Sequence, residues 1–200
     1  MNREQALALL DKYSSADASW RAHCLQVGAA SRRLAELVSE RGHPIDVEKA
    51  EILGLLHDLG RSQEHSLRHG IEGYLLARSQ GHTDEGRICL LHVLKGRSLV
   101  EAVQLGLLTE EESSELAAED WDSQPPSQEE KLAMLADALM SDTGLASIEE
   151  KYRNARRRYG AQPHHYEDEA WIKGVAAEIE QVLGISPHNA LQGQSDDPLR

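Results

Sequence analysis

The stretch Ile52-Leu-Gly-Leu-Leu-His-Asp-Leu-Gly-Arg61 decides how the rest of the chain is read. Ile52, Leu53, Leu55 and Leu56 leave no polar face for solvent, so the pattern predicts a central, buried helix. Asp46 can cap its start, and it stops at Gly60. His57 and Asp58 then stand at the end of a buried helix, where a charged carboxylate without a partner is costly. These residues alone admit two readings. A divalent cation would take both side chains as ligands and offset the cost. Alternatively, they form a hydrogen-bonded helix terminus capped by Gly60.

Outward from this helix, leucine, alanine, glutamate and arginine dominate, and β-branched residues never alternate over a strand's length, which predicts an all-α fold. A short helix is expected over residues 3–13. A long one starts at Asp17 or Ser19 and runs to about Glu40, ended by Gly42 and Pro44. Helices follow from about Ser66 to Ser79 and from Thr83 towards Gly96. Ser98-x-x-Glu101, Thr109-x-x-Glu112, Ser127-x-x-Glu130 and Ser147-x-x-Glu150 have the spacing of capping boxes and mark four further helix entries. Residues 119–128, with Pro125 and Pro126, read as a loop. Pro163 separates the last two helices, the final one running from about Tyr166 to Leu183. The expected organisation is an N-terminal helix (1–16) packed on a core (17–145), a C-terminal helical extension (146–185) and a flexible tail (186–200).

The 200 residues are 40% hydrophobic and 28% charged, as in a globular domain able to bury a core without disulfides. No apolar run approaches the length of a membrane span, and the first residues lack the basic-then-apolar layout of a secretory signal. Cys24 and Cys89 sit in apolar-periodic stretches and read as buried core thiols, so a cytoplasmic location is expected. The net charge of −13 argues against general binding to nucleic acid or anionic membranes. Ten histidines stand out, because imidazole is the commonest transition-metal ligand.

Several polar residues interrupt otherwise apolar faces. His23 lies on the long second helix, His69 opens a later one, and His92 ends the Cys89–Leu94 run. Asp137 is flanked by Leu135, Ala136, Ala138 and Leu139, so it faces the core and needs a partner there. With His57–Asp58, these groups on separate helices point to a shared centre.

The order His23, His57–Asp58, His69, His92, Asp137 resembles the HD-domain metal-dependent phosphohydrolases, over about Trp20 to Asp142. His57-Asp-Leu-Gly-Arg61 is similar to that family's His-Asp-Ile-Gly-Lys variant. His69-Gly-Ile-Glu-Gly73 resembles the histidine-and-glycine segment that follows it, and Leu135-Ala-Asp-Ala-Leu139 the terminal aspartate motif. The resemblance implies an HD-type helical bundle with a metal at its centre. It also implies His23, His57, Asp58 and Asp137 as ligands of a first metal, with His69 and His92 serving a second bridged by Asp58. Some two-metal relatives carry paired histidines where His92 is followed by Val93. Such an imidazole-rich set suits Mn, Fe, Co, Ni or Zn, with Mg as a substitute. The activity implied is hydrolysis of a phosphomonoester or phosphodiester, of a nucleotide or related small phosphate, by a metal-activated hydroxide.

Arg61, three residues after Asp58, is placed to hold a phosphate, and Lys95, three after His92, to act as a point charge. His65, four before His69, would share a helix face with it and could protonate the leaving group or reach the second metal. The basic run Lys151–Arg158 reads as a solvated helix face rather than a substrate clamp, and His164 as a residue without a role. Two alternative functions fit the same residues: a non-catalytic nucleotide-binding regulatory module, and a di-iron oxygenase.

Overall fold

The computed structural model describes residues 1–141 and 143–193. In order these form α1 (Arg3–Tyr13), α2 (Ser19–Glu40), α3 (Val47–Leu56), a 3-10 turn (Leu59–Ser62), α4 (His69–Ser79), α5 (Thr83–Leu94), α6 (Leu99–Gln104), α7 (Glu110–Ala118), a second 3-10 turn (Trp121–Ser123), α8 (Gln128–Leu139), α9 (Ile148–Tyr159), α10 (Pro163–Leu183) and α11 (Pro187–Gln192). Between α8 and α9 lies the one sheet among the described residues, an antiparallel pair of β1 (Met140–Ser141) and β2 (Gly144–Leu145). None of the described helices is long and apolar enough to cross a membrane.

Helix α3 is buried from Ala50 through Leu56 and packs against α2, α5 and α8. Its crossing with α2 is close because both helices present glycine: a Cβ on Gly54 would lie 2.8 Å from the Gly28 Cα. Helix α8 is buried from Leu132 through Leu139, so Asp137 enters the core as its flanking residues require. The apolar reading of α3 passed over Glu51, which is buried and held by Arg3 Nε (2.6 Å) and Arg32 Nη1 (2.8 Å). That pairing ties α1 to the core.

The capping boxes at Ser98, Thr109 and Ser127 close in both directions. Ser147 accepts from Glu150 N–H at 3.1 Å without the return bond. Four boundaries differ from expectation. The helix expected from Ser66 begins at His69, because the Glu64 carboxylate accepts the His65 and Ser66 N–H groups (2.7 and 2.8 Å) and holds them in a loop. Gly60 is no helix cap but lies inside the 3-10 turn. Pro163 opens α10 rather than standing before it, in the first-turn position where its missing N–H costs nothing. Part of the expected tail is helix α11, capped by Ser186 Oγ on Asn189 N–H (3.2 Å), with Pro187 buried. The remainder, 194–200, lies outside the described residues.

Candidate metal centre

Five elements deliver six side chains to one place. His23 comes from α2, His57 and Asp58 from the end of α3, His69 from the start of α4, His92 from the end of α5 and Asp137 from α8. The link after α3 is held tightly against α4. A Cβ on Gly60 would fall 1.9 Å from the His69 carbonyl oxygen and 2.5 Å from Gly73 N, so only glycine allows this approach. Cys89 Sγ–H donates to Leu56 O at 3.1 Å, which satisfies a carbonyl where α3 ends. Both cysteines are free and buried, and burial pushes both thiols up, away from reactivity.

The six side chains fall into two triads, His23–His57–Asp137 and Asp58–His69–His92, each with its ligand atoms within 4.8 Å of one another. Asp58 joins them. Its Oδ2 lies 3.7 Å from His57 Nε2, and its Oδ1 lies 2.9 and 3.4 Å from His69 and His92 Nε2. In the first triad, Asp137 Oδ1 lies 3.0 Å from His23 Nε2 and 3.7 Å from His57 Nε2.

The imidazoles show which nitrogen is offered to the centre. His57 Nδ1–H donates to Gly54 O (2.8 Å), His69 Nδ1–H to Ser66 O (2.6 Å) and His92 Nδ1–H to Ile88 O (3.2 Å). A carbonyl only accepts, so a proton sits on Nδ1 and the Nε2 of each ring points inward. Burial lowers His57 to about 3 and also lowers His92, which keeps both rings neutral. The Nε2 atoms of His69 and His92 stand only 2.9 Å apart. Among the described residues, four buried side-chain nitrogen or oxygen atoms lack a hydrogen-bond partner, and His23 Nδ1, His57 Nε2 and Asp58 Oδ1 are three of them. Orphaned acceptors beside converging Nε2 atoms are what a divalent cation would satisfy, so the donor set fits such an ion.

Charge in the centre follows from its neighbours. Burial opposes the charge on Asp58, and the Arg61 guanidinium donates to its Oδ2 at 3.0 Å. Burial opposes the charge on Asp137 too, and the Lys151 ammonium 2.7 Å from Oδ1, together with His23, holds it well down. Lys151 also donates to the Asp137 and Met140 carbonyls.

The centre opens into a cavity of about 520 Å³. Arg61 reaches it, but its Nε donates to Asp58 Oδ2 (3.0 Å) and its Nη1 to His65 O (3.1 Å), so it holds the Asp58 carboxylate in place. His65 is exposed, off the helix and at the cavity wall, so the shared helix face expected with His69 is absent. Lys95 lines the cavity in the left-handed conformation (φ +48°), its ammonium on the His92 carbonyl and its pKa lowered by burial.

The cavity wall also corrects the reading of the basic run. Lys151, Asn154, Ala155, Arg158 and Tyr159 line it, a spacing of i, i+3, i+4, i+7 and i+8 along one face of α9, and His164 lines it as well. Among the described residues, Lys151 is the polar contact of the centre that sequence reasoning missed. The only available signal was the helical stripe, which a solvated face shares.

The model of the HD domain matches residues 20–142, from the start of α2 to just beyond β1. The chain is 31% identical over 161 residues to an uncharacterised protein of Methanocaldococcus jannaschii, covering 80% of this chain and 88% of that protein. No solved structure matches.

Proposed function

The chain belongs to the HD-domain family, an all-α superfamily of metal-dependent phosphohydrolases, and from that premise we propose that it hydrolyses a phosphomonoester or phosphodiester of a nucleotide-like small phosphate. The observation that carries this reading is the gathering of the His57, His69 and His92 Nε2 atoms around the two oxygens of Asp58, with His57 Nε2 and Asp58 Oδ1 left without a hydrogen-bond partner.

His23, His57 and Asp137 would hold one divalent ion and His69 and His92 another, with Asp58 facing both. Such ions supply hydroxide near neutral pH and neutralise phosphate oxygens, and transition metals suit the imidazole-rich set. The chain's own residues do the rest. Arg61 fixes the Asp58 carboxylate through Nε. Lys95 places an ammonium beside His92 for a non-bridging phosphate oxygen. His65, exposed at the wall, is assigned to protonate the leaving oxygen.

The test is a screen of p-nitrophenyl phosphate, bis-p-nitrophenyl phosphate and nucleoside monophosphates with Mn, Co, Ni, Zn or Mg added to stripped protein. Metal-dependent turnover that Asp58→Ala abolishes is expected. Turnover that survives this substitution, or none with any metal, would reject the proposal.

A further inference from the structure

The matched family domain ends at residue 142, yet α9 beyond it supplies a wall of the cavity. That wall carries charge of a definite sign. In a chain of net charge −13, the cavity lining holds five lysine or arginine side chains against three aspartates. Bound divalent ions would make it more positive still, so the cavity is built for a multiply charged anion.

Helix α9 also sets a distance. Lys151 touches Asp137 at the centre and is 30% exposed, whereas Tyr159, two turns on, is 67% exposed at the mouth. Arg158 lies seven residues beyond Lys151 on the same face, or about 10 Å along the axis. The basic residues of this helix are not equivalent. Arg156 is locked on Glu169 (2.5 Å) and stacked over Tyr166. Arg153 and Arg157 are exposed and not part of the cavity wall. Arg158 is on the wall and forms no ion pair among the described residues. Asn154 stands between the two cations with a neutral amide.

We propose that Arg158 seats a second anionic group of the substrate, about 10 Å along α9 from the scissile phosphate. The substrate class is therefore a phosphoester that bears a phosphate or carboxylate at its far end. This inference rests on the phosphohydrolase reading and adds to it the determinant of specificity.

The experiment is calorimetric binding to manganese-loaded protein of fructose 6-phosphate, fructose 1,6-bisphosphate and 6-phosphogluconate. Wild-type protein is expected to bind at least one doubly anionic probe about tenfold or more tightly than the monophosphate. The probe preferred tells phosphate from carboxylate. Arg158→Gln should bring that ratio close to one, Arg158→Lys should restore part of it, and Arg157→Gln, a control for overall charge, should leave it as in wild type. Equal affinities in wild type, no binding of either doubly anionic probe, or a preference that survives Arg158→Gln would overturn the inference. Hydrolysis of p-nitrophenyl phosphate in the same preparations reads the phosphohydrolase proposal separately.

Discussion

The two triads of the centre differ in what the chain itself supplies. In His23–His57–Asp137 a protein cation is already present, because Lys151 sits 2.7 Å from Asp137 Oδ1 and neutralises it. In Asp58–His69–His92 the guanidinium of Arg61 reaches only Oδ2 (3.0 Å), while Oδ1, the oxygen facing His69 and His92, has no hydrogen-bond partner among the described residues, and the two Nε2 atoms stand 2.9 Å apart. The first carboxylate has a protein cation on the oxygen that faces its imidazoles; the second has none on that oxygen. The second triad should therefore bind metal more tightly and fill first.

The largest effect belongs to the residue that joins the two triads. Asp58→Ala should lower kcat/KM by at least about 1,000-fold, about 4 kcal/mol of transition-state stabilisation, since it removes a group facing both triads. Steady-state kinetics with the preferred metal checks this. Next, His92→Ala should weaken the tighter metal-binding phase by about 100-fold or more and spare the other, while His23→Ala does the reverse. Competition with a fluorescent chelator separates the phases, and the same phase lost in both variants would break the distinction between triads.

Lys151→Met sharpens it. Without the ammonium, the buried Asp137 carboxylate loses its charged partner and keeps only the His23 contact, so metal-free protein should lose about 1–3 kcal/mol of stability. Added metal should then raise Tm more than it does in wild type. An equal metal-induced shift in both would mean that Lys151 does not stand in for an ion. The smallest effect concerns backbone strain beside the second triad. Lys95 occupies a left-handed conformation normally given to glycine, so Lys95→Gly should stabilise the fold by up to about 1 kcal/mol while weakening phosphate binding. Urea unfolding and calorimetry measure the two sides.

The sequence shows polar groups that violate their surroundings. Asp137 among leucines and alanines, and His57–Asp58 after a continuous apolar helix, stand out because burial without partners is costly, and the structure brings both to the same cavity. Residues that violate nothing stay hidden. Lys151 is a lysine on a basic helix, and its contact with Asp137 is made across 14 residues of chain, a spacing that no helical periodicity announces. Helix α11 is six residues long, too short for an apolar stripe, and forms by packing on α2 and α10. His65 shows the opposite error. Spacing placed it on a helix, but the nearby Glu64 carboxylate competes for the backbone N–H groups and delays the helix start.

The most direct test of the centre is the metal content of protein purified without chelator, beside that of Asp58→Ala and His92→Ala. About two transition-metal ions per chain are expected in wild type, about one in His92→Ala and almost none in Asp58→Ala. Undiminished metal in Asp58→Ala, or none in wild type even after metal is offered back, would contradict a centre organised around that carboxylate.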